Sequence, residues 1–576
     1  MIDGNGRTGA APRARRAGLC AFGAGLALLL PAAGHAQVPG IPGAGQTMRD
    51  LETVRPELPA PSDLDSVLPK APERPAAPAA AADSADPGLR LKVQGLRIAG
   101  NHVFGAAQLL SLLDDLNGTE QDLAGLRAAA DRITAYYHQR GYVLARAFLP
   151  QQDIEDGVVL IEVMEGRYGQ VELQNQSRTL DGVLRQPLAA LRSGDAVQGA
   201  TLESRLLLLN DLPGVQVRGT LRPGAARGTT DLVVDAASAP LVSGSVEADN
   251  YGGYYTGEYR LGGSVYLNSP LRLGDQLSLR LLGSDKRQRY YRAGYQVPFG
   301  PWLTRAGVAY SEMRYHLGRD FAELEAHGKA SIRSAFVTQP LLRGRAFSLN
   351  AQLQYDDKRL RDDMDLFEVT NLKRAELWTL GLNASNQDTL LGGGQSAVSV
   401  TVSRGRLRLD DPYTSYVDGF TAHAAGGFSK LNLNAARLQR LGHRFQLYGQ
   451  FNAQWASGNL DGSEKFGMGG PYGVRGYALG AGSGDQGWQA SLELRYLLGP
   501  GWQLSAFVDR SEVDINRRPW TTENNARRLT AAGVGAGWAG DGHQVSVALA
   551  WPVGQRDESG GPARSPRIWV QGAQYF

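Results

Sequence analysis

The chain is poor in cysteine, in long apolar runs and in net charge. Its 576 residues contain one cysteine, Cys20, so no disulfide framework is available. Lys+Arg number 60 and Asp+Glu 57, a balance that argues against a basic nucleic-acid binder. Beyond the N-terminal segment there is no run of about 18 apolar residues, the length needed for a membrane-crossing helix. None of these shortages excludes a membrane β-barrel, whose strands are short and apolar on one face only. Catalytic and metal motifs are missing as well. The eight histidines form no His-x-x-x-His or His-Glu pair, and no Gly-x-Ser-x-Gly elbow is present. Gly392-Gly393-Gly394 and Gly467–Gly473 lack the Lys-Ser/Thr of a phosphate loop and read as turns. No enzyme, metal or cofactor is expected.

What is there begins with an address. Residues 1–36 read as a secretory signal peptide, with Arg7, Arg13, Arg15 and Arg16 ahead of an apolar core near Leu19–Leu30. Cleavage after Gly34-His35-Ala36 would remove Cys20, four arginines and Asp3, leaving a neutral chain. Residues 37–88 are rich in Pro and Ala and read as a linker. Met48, Leu51 and Val54 share one side of a short helix over Thr47–Val54, a candidate plug.

Residues 89–166 predict the order β-α-α-β-β. A strand at Leu96–Ile98 precedes Gly100-Asn101. A first helix carries Leu109, Leu113 and Leu116. The second starts at a capping-box-like Thr119/Asp122 and shows the stripe Leu123, Leu126, Ala130, Ile133, Tyr137. Strands follow at Val143–Leu149 and Val158–Val163. Residues 167–239 repeat the order: a strand at Gly169–Leu173, helices at Leu180–Leu191 and Thr201–Leu212, and strands at Val215–Leu221 and Thr230–Ala236. Leu206–Leu209 reads as core, with a peptide groove as the other reading.

From about Pro240 the helical period gives way to alternation. Phe445, Leu447, Phe451 and Trp455 oppose Gln446, Tyr448, Gln450, Asn452 and Gln454. Trp488, Ala490, Leu492, Leu494 and Tyr496 oppose Gln489, Ser491, Glu493 and Arg495. A polar face of this kind requires water, and its apolar partner requires lipid or a core. Trp455, Trp488, Trp502 and Trp551 stand at strand ends, as interfacial aromatics do. About 16 such segments fit in residues 240–576, with tight turns alternating with longer loops, notably Gly458–Gly487. The fold class is therefore mainly β: a 16-stranded transmembrane β-barrel preceded by two small α+β modules. A soluble β-sandwich is the rival fold. The paired acids Asp362-Asp363 and Asp410-Asp411 are placed in solvated loops.

Several motifs in order give the chain a family likeness. They are Ile98-Ala99-Gly100-Asn101, Tyr136-Tyr137, Arg140-Gly141-Tyr142, Leu149-Pro150-Gln151 and Glu162-Val163-Met164-Glu165-Gly166. At the barrel entry stand Asp249-Asn250-Tyr251-Gly252 and Asn268-Ser269-Pro270 with Gly274-Asp275-Gln276. Val474-Arg475-Gly476-Tyr477 and Phe507-Val508-Asp509 complete the set. The chain resembles the outer-membrane transporters of two-partner secretion (TpsB type; the ShlB/FhaC/HecB family), which are related to BamA and TamA. The resemblance implies two periplasmic POTRA domains and a barrel whose long loop folds into the lumen. It implies a secreted TpsA-type exoprotein as partner, in an outer membrane and with no nucleic acid. Strand alternation puts Trp502, Leu504, Ala506 and Val508 outward and Phe507 and Asp509 inward. The candidate site is thus a loop lock of Val474, Arg475, Gly476, Tyr477, Phe507 and Asp509, in which Arg475 grips Asp509 and Glu493 is a second partner. An ordinary lumen ion pair is the alternative reading of the same residues. A barrel-assembly insertase and a passive porin are the alternative functions.

Overall fold

The computed structural model describes residues 41–52, 90–554 and 560–576. The expected signal peptide and most of the linker lie outside the described residues.

Sixteen antiparallel strands close into a barrel. They run from Val242–Asp249 and Arg260–Asn268 to His543–Pro552 and Arg567–Tyr575. Closure pairs the last strand with the first, from Gln571 opposite Asp249 to Tyr575 opposite Ser245. Closure removes the free edges that an open sheet would leave unpaired in lipid. The two-residue side-chain period then sorts the wall. On Trp502–Asp514, Trp502, Leu504 and Val508 are exposed, while Phe507, Asp509 and Ser511 are buried. Trp455 and Trp551 also face outward. The seven connections on one rim run from two to seven residues, and the other rim carries the longest ones, residues 410–425 and 457–485.

Two α+β modules precede the barrel. In the first, the strand Gly95–Ala99 pairs in parallel with Val158–Met164, and Arg146–Phe148 pairs with the latter on its other side. The helix Leu123–Gln139 buries Leu126, Ala130, Ile133 and Tyr137 on one face, as its 3.6-residue period dictates. Its N-cap is Asp122, whose side chain accepts from Gly125 N. Thr119 instead donates to Leu116 O and caps nothing. The expected strand from Val143 begins only at Arg146, because the chain leaves the helix through a turn at Gly141, where φ is +88°.

The second module repeats the order with Arg167–Asn175, helices Asp181–Leu188 and Gly199–Asn210, and strands Val215–Pro223 and Thr229–Ser238. Leu206, Leu207, Leu208 and Leu209 are all buried in its core, so that run borders no open groove. This module is seated on the short-turn rim. Leu303, from the barrel turn after Phe299, is buried in the module's core. Arg205 lies over the Trp302 ring at 4.1 Å. Arg343 grips Asp211 with two bonds of 2.7 and 2.8 Å. Ser269, in the Asn268-Ser269-Pro270 motif, meets Thr179 at 3.0 Å.

The lumen is occupied. A helix at Ala44–Glu52 lies inside, three residues earlier than the sequence period suggests, and Val54 falls outside the described residues. Ala44, Met48 and Leu51 pack on Tyr290, Met313, Tyr315, Ile332 and Leu360. Asp362 and Asp363 are not in a loop. They end the long strand Phe347–Met364, and Asp362 accepts from Ala44 N at 2.6 Å and from the Tyr315 hydroxyl at 2.7 Å. Asp362 takes its donors from the helix start and from Tyr315, and Asp363 from Arg361 and Thr370, so neither carboxylate needs the water of a loop. Asp411 caps the loop helix Pro412–Asp418 through Thr414 N.

Candidate functional site: the lumen loop and its latch

The loop between the strands Phe445–Ala456 and Gln486–Gly499 folds back into the barrel. Its first part is held by charge. Asp461 pairs with Lys373 at 2.7 Å, and Glu464 sits between Lys358 (2.7 Å) and Lys430 (2.8 Å). Lys465 pairs with the fully buried Asp485 at 2.7 Å. Arg49 of the lumen helix donates to the carbonyls of Gly462 (2.9 Å) and Lys465 (2.8 Å). Phe466-Gly467 then pairs with Ser483-Gly484 as a short ribbon.

The tip follows. Val474 and Tyr477 are buried with Met468, Ala478 and Ala481 against Val513, Leu529 and Ala531 of the wall. Gly476 is required by proximity, since a Cβ there would lie 2.8 Å from the Ala531 side chain and 2.9 Å from Pro552 N. Gly473 is packed against the carbonyls of Met468 and Gly469. Neither glycine adopts a positive φ, so close approach, and not a special turn, explains both.

Arg475 is the centre. Its Nε donates to Asp509 Oδ2 at 2.9 Å and its Nη2 to Asp509 Oδ1 at 2.8 Å. Its backbone N–H adds a bond of 3.1 Å to Oδ2. Nη1 reaches Glu493 Oε2 at 2.8 Å, and Nη2 also reaches Ser491 Oγ at 3.1 Å. The guanidinium carbon lies 3.3 Å from the centre of the Phe507 ring. Parallel bonds and ring stacking together fix the plane of the fork, which a lysine could not do. Arg495 bonds the other Glu493 oxygen at 2.8 Å, so two guanidiniums face two carboxylates.

All seven residues named from the sequence converge here, on a loop tip and two neighbouring strands. Three further residues belong to the site and were not foreseen. Ser491 also donates to Asp509 Oδ1 at 2.8 Å. Gln489 holds Tyr472 O at 3.0 Å. Trp569 of the last strand donates from Nε1 to Arg475 O at 2.8 Å. Ser491 and Gln489 stood on the polar face of their strand beside Glu493. Trp569 alternates with the outward Ile568 and Val570, and that pattern was the available signal.

A barrel with a latched lumen loop, an internal helix and α+β modules on its rim defines a class of outer-membrane translocation channel. The model for the haemolysin secretion/activation protein family ShlB/FhaC/HecB matches residues 228–540, and that for the ShlB-type POTRA domain matches residues 91–166. The chain belongs to this family. It is 27% identical over 457 residues to the heme/hemopexin transporter protein HuxB of Haemophilus influenzae (strain 86-028NP), covering 77% of this chain and 80% of that protein. It is 26% identical over 480 residues to the hemolysin transporter protein ShlB of Serratia marcescens, covering 79% and 81%. Among solved structures, CdiB from Escherichia coli matches with a TM-score of 0.67 at 20% identity, covering 96% of this chain and 98% of that one. The chain is an outer-membrane transporter of two-partner secretion, with its POTRA region in the periplasm.

Proposed function

We propose that the two modules, residues 89–166 and 167–239, act as POTRA domains that receive an unfolded exoprotein of the TpsA type in the periplasm. The sheet of the first module ends on the edge strand Gly95–Ala99, whose free backbone groups suit strand addition by an extended client. The client then threads the polar lumen, and the outward apolar wall meets outer-membrane lipid. The chain performs no catalysis in this reading. Its work is binding, gating and guidance, and folding of the client outside supplies direction.

The observation that carries the proposal is the filled lumen. A client cannot pass while the helix Ala44–Glu52 and the loop tip both occupy it. The Arg475 latch is therefore a working part that shifts, or holds its strand, during passage. The names of HuxB and ShlB, both transporters, support a secreted-protein client. The test is to delete the gene and identify the protein lost from the medium. Restoring the full chain returns that protein, and restoring a chain without residues 89–237 does not. Secretion by the truncated chain would remove the docking role.

A further inference from the structure

The barrel closes through a seam of five paired residues, and the backbone of the first strand leaves this seam after Asp249. Tyr251 turns inward and is buried. Gly252 N bonds to Glu258 O and no longer follows the last strand. This would strand the donor of Val570 and the acceptor of Ile568 at the outer end of the seam. Asn250 takes both. Its Oδ1 accepts from Val570 N at 2.8 Å, and its Nδ2 donates to Ile568 O at 2.8 Å. Its own N–H completes the set with Val570 O at 3.2 Å. A carboxamide has the donor and acceptor geometry of a peptide group, so this one side chain continues the ladder where the main chain has gone.

Between the two gripped residues lies Trp569, buried on the inner face. Its indole holds Arg475 O, and its ring meets Tyr251 edge-on at 5.7 Å, which in turn meets Tyr472 of the loop at 5.6 Å. The same step of the last strand is thus fastened to the first strand on one side and to the loop tip on the other.

We infer that Asn250 is a positioning residue that holds the outer end of the seam closed and sets Trp569 for the loop, so that seam closure and the loop latch are coupled. The inference concerns the empty barrel and is independent of any client. The test uses the full chain in detergent with a single reporter, Ala481→Cys, in the loop and fully buried. The native Cys20 lies in the expected leader. A membrane-impermeant maleimide reads exposure of the loop. A second reporter, Ala436→Cys, buried in the strand Gly426–Arg440 and outside the apolar clusters of both the lumen helix and the loop tip, reads general unfolding. Asn250→Ala removes both side-chain bonds. Asn250→Asp keeps the acceptor but sets an oxygen against Ile568 O, and it serves if the alanine variant fails to fold. In each, labelling at 481 rises about tenfold, the order expected for lost hydrogen bonds at a strand end, and labelling at 436 stays at the parental level. The temperature at which the folded band converts on a denaturing gel falls as well. Unchanged labelling at 481 overturns the coupling, even if the conversion temperature drops. Equal gains at both reporters overturn it too, because the effect is then unfolding of the whole barrel.

Discussion

Arg475 and Asp509 meet through three hydrogen bonds, two from the guanidinium and one from the backbone N–H. The carboxylate is fully buried at the contact. This bond set orients the loop tip as well as neutralising it. Arg475→Lys keeps the charge but loses the parallel fork and the flat face over Phe507. A loss of about 1.5–3 kcal/mol of charge-assisted bonding corresponds to at least a tenfold weakening of the latch. Hydrogen exchange of residues 468–481 in the purified barrel reads it directly, and these amides exchange faster in the variant.

The internal helix and the start of the loop leave the lumen together if Arg49 joins them. Arg49→Ala removes two bonds to loop carbonyls, and Glu464→Gln removes the partner of Lys358 and Lys430. Removing one partner from a buried ion pair costs about 3–5 kcal/mol. Both variants raise the frequency of open-channel events in planar bilayers relative to the parent. A conductance record indistinguishable from the parent's would show that neither contact holds the plug.

Glu165 gives the first module a defined pH sensitivity. Burial of this carboxyl raises its pKa. Four hydrogen bonds to its charged form, from the backbone N–H groups of Val103 and His102, the Tyr137 hydroxyl and the Arg167 guanidinium, outweigh that and hold it below the usual value of 4.5. The folded state therefore prefers the ionised form. Its stabilisation is complete above about pH 4.5 and is lost as pH falls through the lower folded value. Glu165→Gln removes this dependence and destabilises the module by about 1.5–3 kcal/mol at neutral pH. Protease sensitivity of residues 91–166 in the full chain, followed from pH 7 to 3, is the measurement.

The second module depends on the barrel for part of its core. Leu303→Ala deletes a buried side chain and costs about 2–5 kcal/mol, while Asp211→Ala leaves Arg343 without its fork partner. Each loosens the module from the rim. Spin-label distances between the helix Gly199–Asn210 and the barrel turns broaden in both variants and stay narrow in the parent.

The barrel wall was legible because its signal is local. Alternation along Phe445–Trp455 and Trp488–Tyr496 states which face is wet, whatever the partner strands are. The latch was legible for the same reason: Asp509 and Glu493 stood on wet faces and needed a cation. The plug helix and the inward loop were anticipated, but the contacts that hold them to each other and to the wall were not. Arg49 meets Lys465 across more than four hundred residues, and no local pattern encodes that meeting. Asp362-Asp363 looked like a solvated loop because an acidic pair normally needs water, and here the lumen helix and Tyr315 supply the donors to Asp362 while Arg361 and Thr370 supply those to Asp363. Leu303 gave no signal, since an apolar residue in a tight turn reads as exposed until a second module covers it. Asn250 stood within a motif, but its task follows only from the path of the last strand.

The measurement that bears most directly on the account is a double-mutant comparison of secretion. Client protein in the medium is quantified for the parent, Arg475→Ala, Asp509→Ala and the double variant, each present in the outer membrane at equal level. If the two residues act as one latch, each single variant loses most of the secretion and the double variant loses no more than the worse of them. Secretion at parental level in both single variants, or losses that multiply in the double, would contradict it.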